Sequence, residues 1–183
     1  MKGLLLYKGK YGATRQYANW IGEELLWPVS TTEQLTGDEL ENAEVIVIGS
    51  SVYAGRLLLH GWLKQHADQL INKKLLLFIV CATPADKTDI LNQIAKQNIP
   101  QVLREQCTVF FLRGRVVIKD LSWGDRLMLK MASLGAKDPI EKRAMVQGFD
   151  AVNKENIIPL VNAVKAMQTP LAGKVTGELH TVD

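Results

Sequence analysis

Short apolar runs recur along the chain, and between them apolar residues return every three or four positions. The runs cover residues 4–7, 45–48, 75–80 and 109–112. Each run is too short for a helix and suits a strand that is buried on both faces, as in a parallel sheet. A short extended piece at Val29–Thr31 completes a predicted set of five strands.

Helical periodicity fills most of the intervals between these strands. Amphipathic helices are predicted over about residues 13–26, 58–71, 86–97 and 153–167, and a short helical turn is expected to be capped by Thr36 and Asp38. Strands that alternate with helices of this length predict a parallel sheet with helices on both faces, joined by right-handed crossovers. The predicted fold class is therefore α/β.

Two segments in the second half depart from this alternation. Residues 109–112 and 116–118 are predicted to form one last strand with a kink or bulge at Gly114. Residues 122–134 then form a helix that carries bulky apolar side chains together with Arg126 and Lys130. We expect this helix to pack its apolar stripe on the sheet, and peripheral contact with a membrane surface is the alternative.

The length of 183 residues and the hydrophobic content of 47% suit a single core. We expect one domain over residues 1–168 and a disordered tail over residues 169–183. The sequence contains no signal-peptide pattern and no apolar run of about 18 residues, so a cytoplasmic protein is expected, with contact at the inner face of the membrane as a variant. Cys81 and Cys107 lack CxxC spacing and are expected to be free thiols.

The net charge of +3 arises in the second half of the chain. Residues 1–100 hold ten basic and ten acidic side chains, whereas residues 101–183 hold twelve and nine. The basic segment 113–143 favours an anionic partner or a membrane surface, and a solvated basic face is the commoner explanation. Nucleic-acid binding is not expected because no recognised module accompanies these charges.

The three histidines lack the spacing of metal ligands, so no metal site is expected either.

Candidate chemistry lies in three loops that follow predicted strands. The first loop contains Gly9 and Gly12 and leads directly into a helix, so its backbone N–H groups and the helix dipole suit an anion. It has neither a P-loop signature nor a dinucleotide fingerprint, and it is compatible with a single phosphomonoester. The other two loops cover residues 50–56 and 81–85. All three follow strand carboxyl ends, where doubly wound sheets bind ligands, so we expect them to meet at one site.

Three segments resemble one protein family. They are the opening strand and loop that end in residues 12–15 (GATR), residues 47–56 (VIGSSVYAGR) with residues 62–64 and His66 beyond them, and residues 123–130 (WGDRLMLK). Through these segments the chain is similar to flavodoxin-fold proteins, and within them to the subgroup that includes menaquinone-dependent protoporphyrinogen oxidases. The resemblance covers about residues 1–167. It implies a flavodoxin-like three-layer αβα sandwich whose five-stranded parallel sheet has the order 2-1-3-4-5.

The resemblance also implies FMN as the cofactor, bound through its phosphate in the first loop and through its isoalloxazine ring between the other two. The backbone N–H groups of residues 10–14 and the Thr14 hydroxyl would hold the phosphate, and Tyr53 is the best candidate to stack on the ring. The residues implied as cofactor-binding are Lys8, Lys10, Tyr11, Gly12, Ala13 and Thr14, then Ser51, Val52, Tyr53, Ala54 and Gly55, then Cys81, Ala82 and Thr83.

The first loop departs from the family pattern at Lys8 and Gly9, where flavodoxin phosphate loops usually carry hydroxyl residues. A positive charge from Lys8 or Lys10 is the candidate compensation. The leading functional hypothesis is an FMN-dependent oxidoreductase that moves electrons from a reduced substrate such as a porphyrinogen to a quinone. A soluble electron carrier is a second hypothesis, although such carriers are usually acidic. A flavodoxin-fold binding module that has lost FMN is the third, and catalytic residues and the oligomeric state stay open.

Overall fold

The computed structural model describes residues 2–136 and 138–168, apart from the side chains of residues 140 and 141. Its central sheet contains five parallel strands in the order β2-β1-β3-β4-β5, which confirms the predicted order. The strands are β1 Gly3–Lys8, β2 Val29–Thr31, β3 Val45–Tyr53, β4 Lys74–Cys81 and β5 Thr108–Arg113. The predicted tail, residues 169–183, lies outside the described residues.

Helices cover both faces of the sheet and make three layers. They are α1 Ala13–Leu25, α2 Gly37–Asn42, α3 His60–Gln65, α4 Ala67–Leu70, α5 Thr88–Asn98, α6 Gln101–Arg104, α7 Trp123–Gly135, α8 Pro139–Gln147 and α9 Ile158–Gln168, with 3-10 turns at Ile118–Asp120 and Lys154–Ile157. Successive strand residues point to opposite layers. In β1, Leu4 and Leu6 pack with α2–α6, whereas Leu5 packs with α1 and α9. Because both faces are covered, β1, β3 and β4 are continuous apolar runs.

The strand β3 is longer than its apolar run predicts. The predicted second loop, residues 50–56, is in fact an extension of β3 that turns back into a short antiparallel strand, Arg56–Leu57. Ala54 and Gly55 form the turn with φ values of 48° and 77°. Positive φ at both central residues is what a two-residue hairpin of type I′ requires, so the chain reverses there without a long loop.

The helix predicted over residues 58–71 is broken into α3 and α4. His66 lies at the break, where its N–H donates to the Trp62 carbonyl and its ring Nδ1 lies 2.9 Å from the same oxygen. The ring also stacks on the Trp62 indole, with 4.3 Å between the ring centroids. A side chain that bonds its own helix backbone in this way competes with continued helix, and α3 ends there.

The predicted kinked last strand is also corrected, because Gly114 is the point where the chain leaves the central sheet. Its N–H donates to the Cys81 carbonyl of β4, and its own carbonyl accepts from Ala151. Beyond it, Arg115–Val116 pairs antiparallel with Phe149–Asp150 in a separate two-stranded sheet. We call residues 115–150 the helical excursion, since α7 and α8 pack on each other between these two short strands.

A buried phenol ties α1 to the end of the sheet and to the segment after the excursion. The Tyr17 hydroxyl donates to the Arg113 carbonyl at 2.8 Å and accepts from Asn156 Nδ2 at 2.9 Å and from the Asn153 N–H at 3.2 Å. Tyr17 is fully buried, so removing the hydroxyl leaves partners that water does not easily reach.

We therefore expect Tyr17→Phe to lower the free energy of unfolding by about 1–2 kcal/mol, as measured by urea denaturation. Tyr7→Phe is the matched control, because Tyr7 is partly exposed on β1 and no hydrogen bond of its hydroxyl is observed within the described residues. We expect the control to change stability by less than about 0.5 kcal/mol. Equal losses in the two variants would contradict the role assigned to the Tyr17 hydroxyl.

Candidate functional site

A cavity of about 190 Å³ opens at the carboxyl ends of β1, β3 and β4, with the helical excursion on its far side. In a doubly wound sheet of this order the winding reverses between β1 and β3, which is where such folds bind ligands. The lining comes from four parts of the chain. It consists of Lys10, Tyr11, Ala13 and Thr14; Ser51 to Ala54; Val80 to Ala82; and Gly114, Arg115, Val116, Leu121, Asp125, Met128 and Leu129.

The first loop presents an open helix end to this cavity. Gly12 has a φ of 83°, and the carbonyl of Gly12 accepts the first intrahelical bond from the Gln16 N–H at 2.9 Å. The N–H groups of residues 13–15 are therefore outside the helix ladder. Residues 13–16 contain no acidic side chain, so the positive end of the α1 dipole is not neutralised locally. This arrangement suits an anion such as a phosphate.

The end of β3, predicted as part of the second loop, contributes an unpartnered hydroxyl. Ser51 Oγ is buried and has no hydrogen-bond partner in the part of the chain that the structure describes. Ser51 is among the residues that line the cavity. A buried hydroxyl without a partner is costly, so this atom is available to a polar ligand in the cavity.

A buried carboxylate joins the first loop, the second loop and the excursion. Asp125, on α7, is only 5% exposed. Its Oδ2 accepts from Lys10 Nζ at 2.8 Å and from the Tyr11 hydroxyl, and its Oδ1 accepts from the Tyr53 hydroxyl. Three donors satisfy the charge that burial would otherwise make costly. The carboxylate therefore holds α7 against both loops at the wall of the cavity.

Lys10 is the cation of this cluster. Its ammonium lies 3.8 Å from the Tyr53 ring centroid and 5.3 Å from that of Tyr11, so it contacts both aromatic faces. The hydrogen bond that Lys10 donates to the Asp125 carboxylate raises the pKa of Lys10 above its ordinary value. Lys10 therefore stays charged at neutral pH. One face of Tyr53 is covered by this ammonium, so a stacked ring would have to use the other face or displace Lys10.

Cys81, the last residue of β4, brings a protonated thiol to the cavity. Burial raises the pKa of the Cys81 thiol above its ordinary value, so the sulfur is uncharged at neutral pH. Its Sγ lies 3.9 Å from the Thr83 carbonyl. An uncharged, buried thiol contributes shape rather than nucleophilic chemistry.

Ten of the fourteen predicted cofactor-binding residues line the cavity: Lys10, Tyr11, Ala13, Thr14, Ser51, Val52, Tyr53, Ala54, Cys81 and Ala82. The other four do not. Lys8 points into a neighbouring groove, where its ammonium lies 2.6 Å from the Glu33 carboxylate. Gly12 shapes the turn before α1, the Gly55 carbonyl accepts from Asn98 Nδ2, and Thr83 contacts Cys81 through its carbonyl. Their cofactor contacts stay predictions.

Apart from Val80 on β4, the cavity residues that sequence reasoning missed belong to the exit from β5 and to the excursion. The position of Asp125 predicts that it caps and supports a helix, but the N-cap of α7 is Ser122, whose hydroxyl accepts from the Asp125 N–H. Its carboxylate, however, lies in the cavity. Arg115 also lines the cavity, and its Nε is buried without a partner among the described residues. Nothing local in the sequence indicates that these residues return to the strand ends.

A parallel sheet of order 2-1-3-4-5, with an anion-binding loop after its first strand and a cavity at its switch point, defines a mononucleotide-binding protein of the doubly wound α/β class. Residues 4–142 match the family model for the flavodoxin domain, so the chain belongs to the flavodoxin domain family. The family assignment supports FMN as the cofactor.

Curated proteins similar to this chain include an enzyme from several strains of Escherichia coli. Protoporphyrinogen IX dehydrogenase (quinone) of Escherichia coli strain K12 is 25% identical over 143 residues, which cover 72% of this chain and 78% of that protein. Among solved structures, a flavodoxin from the domain Archaea is 19% identical, covers 80% of this chain and 94% of that chain, and has a TM-score of 0.45. A WrbA-like flavodoxin from Agrobacterium tumefaciens is 14% identical, with coverages of 90% and 98% and a TM-score of 0.45.

The residues present fit FMN. A phosphate requires N–H donors and a positive local field, which the start of α1 supplies. A flat ring with a polar edge requires apolar walls and a few hydrogen-bonding groups, and the cavity offers Val52, Leu129 and the unpartnered Ser51 hydroxyl. The structure offers no hydroxyl at position 9, where a side chain has no room: a Cβ there would lie 2.7 Å from Thr14 Cβ.

Proposed function

We propose that this protein is an FMN-dependent oxidoreductase that oxidises a porphyrinogen-like substrate and passes the electrons to a quinone. Membership of the flavodoxin domain family supports the flavoprotein part of the proposal. The 25% identity to protoporphyrinogen IX dehydrogenase (quinone), over most of both chains, supports the substrate class. FMN supplies the redox chemistry when it is bound, by accepting and donating electrons.

The observation that carries the proposal is the apolar wall that the excursion adds to the cavity. Leu121, Met128 and Leu129 all face the space at the strand ends. An electron carrier needs only an exposed ring edge that its partners can approach. A wall of large apolar side chains beside that position instead suits a large, mostly apolar substrate, such as a porphyrinogen or a quinone.

The chain's own residues then have distinct tasks. The N–H groups at the start of α1 hold the phosphate, and Ser51 hydrogen-bonds the cofactor. Asp125 keeps Lys10, Tyr11 and Tyr53 in one arrangement, so that α7 stays over the site and limits access of water. Because the Lys10 ammonium is paired with the Asp125 carboxylate, the two add no net charge beside the cofactor position, and the positive end of the α1 dipole is the local field that favours the phosphate.

An anaerobic spectroscopic experiment tests this proposal. The purified protein, loaded with FMN, is mixed with protoporphyrinogen IX, and the flavin absorbance near the visible maximum is followed before and after a menaquinone analogue is added. We expect bleaching by the porphyrinogen and recovery with the quinone. Protein that does not bind FMN contradicts the whole proposal. Protein whose flavin is reduced only by a reductase, and not by the porphyrinogen, contradicts the substrate class and favours a soluble electron carrier.

A further inference from the structure

The helix α7 buries polar side chains and exposes large apolar ones, which is the reverse of an ordinary amphipathic helix. Its buried residues are polar, namely Asp125 and Ser133. Large apolar side chains face solvent instead: Trp123 is 80% exposed, Met131 65% and Leu134 78%. The expectation that this helix packs its apolar stripe on the sheet is therefore wrong.

The exposed side chains form one continuous stripe. Trp123, Leu127, Met131 and Leu134 are spaced by four, four and three residues, which places them on one side of a helix. Asp125, Leu129 and Ser133 are spaced by four on the opposite side and point inward. We call residues 123, 127, 131 and 134 the outer stripe. A stripe of four large apolar residues on a surface marks an interaction site rather than scattered exposure.

The helical excursion that carries the outer stripe has a net positive charge. Lys130 lies beside the stripe on α7, and Lys119, Lys142 and Arg143 are exposed elsewhere on the excursion. In total the excursion carries seven basic and five acidic residues, and the carboxylate of Asp125 is directed inward to Lys10. Arg126 is held by the carbonyls of Leu121 and Lys119, which fixes its charge near the start of the helix.

We propose that the outer stripe is a docking surface for an anionic membrane. Exposed tryptophan, leucine and methionine side chains with flanking basic residues are the composition of helices that lie in the lipid interface. Anionic headgroups complement the basic flank, and the apolar stripe enters the boundary of the acyl chains. Among residues 2–136 and 138–168, the helices all fall short of the length and hydropathy that a membrane-spanning helix needs.

A membrane fits this surface better than a second copy of the chain. A two-fold dimer through the outer stripe would place the same basic flank on both sides of the interface, and like charges would face each other. The stripe also belongs to the helix whose Met128 and Leu129 line the cavity. Docking therefore brings one wall of the site to the lipid surface, although the docking itself does not depend on the proposed activity.

Vesicle binding of the full-length protein tests the proposal. Cosedimentation is measured with vesicles that contain 30% phosphatidylglycerol and with vesicles of phosphatidylcholine alone. We expect partitioning into the anionic vesicles to be at least tenfold stronger and to weaken in 0.5 M NaCl. Met131→Glu should lower partitioning by tenfold or more. The matched control is Ile90→Glu, because Ile90 is comparably exposed on α5, away from the stripe, and this variant should change partitioning by less than threefold.

Tryptophan fluorescence supplies an independent readout. The fluorescence emission of Trp123 should shift to shorter wavelength when anionic vesicles are added. The Trp123→Phe variant, which keeps Trp20, Trp27 and Trp62, should not show this shift. Absence of binding to anionic vesicles at millimolar lipid, or equal losses in Met131→Glu and Ile90→Glu, overturns the proposal. A dimer in sedimentation velocity that Met131→Glu dissociates also overturns it, because the occupant of the stripe would then be a second copy.

Discussion

Asp125→Ala should lower the free energy of unfolding by about 2–4 kcal/mol and release α7 from the cavity wall. The substitution removes the acceptor of three donors at once, namely Lys10, Tyr11 and Tyr53. Hydrogen bonds to a buried charge contribute more than neutral ones, and donors left without a partner lose the full cost of their desolvation. Lys10 and the tyrosines can be partly rehydrated, which keeps the expected loss below the sum of three such bonds.

Two measurements separate global from local effects of this substitution. Urea denaturation reports the change in unfolding free energy, and hydrogen exchange reports the opening of α7 within the folded protein. We expect protection to fall throughout Trp123–Gly135 and to be kept in β3 and β4. A loss of protection spread evenly over the sheet would show that the hydrogen bonds of Asp125 stabilise the whole core and do not specifically hold the excursion in place.

Asp120→Ala is the control, because Asp120 is an exposed carboxylate of the same excursion, and we expect its stability change to stay below about 0.5 kcal/mol. Asp125→Asn adds a second comparison, since it preserves the size of the side chain and removes only the charge. The loss of unfolding free energy in Asp125→Asn should be smaller than in Asp125→Ala. An amide still accepts from one or two of the donors but no longer pairs with the charged Lys10. Unchanged stability in Asp125→Ala would refute the assigned role.

The part of the fold that sequence could predict is the part determined by local pattern. Strands buried on both faces are continuous apolar runs, so β1, β3 and β4 are visible without a structure. The order of the strands follows from the family resemblance and from right-handed crossovers. Ten of the cavity residues could be predicted for the same reason, because the ends of parallel strands meet at one edge of the sheet.

The excursion could not be predicted, because pairings distant in sequence determine it. Arg115–Val116 contributes two residues to a sheet whose other strand is Phe149–Asp150, and neither piece has a pattern of its own. On α7, amphipathic periodicity assigns the apolar stripe to the core, but part of the space beside the strand ends is lined by the donors Lys10, Tyr11 and Tyr53. A carboxylate satisfies those donors better than a leucine does, so Asp125 turns inward and the stripe turns outward.

Gly9→Ala should weaken FMN binding by about tenfold to a hundredfold. A Cβ at position 9 would lie 2.7 Å from Thr14 Cβ and 2.8 Å from Thr14 Oγ1, closer than real side chains approach. Thr14 is 1% exposed and cannot move outward, so the loop must shift instead. A shift misdirects the N–H groups at the start of α1, and the loss of one charge-assisted hydrogen bond to a phosphate costs about 1.5–3 kcal/mol.

Isothermal titration with FMN measures the effect, and Gly61→Ala is its control. Gly61 lies in α3, where an added Cβ meets nothing within 4 Å, so alanine should be tolerated there and the affinity should change by less than twofold. Urea denaturation without FMN shows whether the Gly9→Ala variant is folded. If it is folded and binds FMN weakly, the weaker binding is due to the changed geometry of the first loop. If the FMN affinity of Gly9→Ala is within threefold of that of the parent protein, the phosphate is held elsewhere. The nearest alternative site is the groove lined by Lys8 and Arg15.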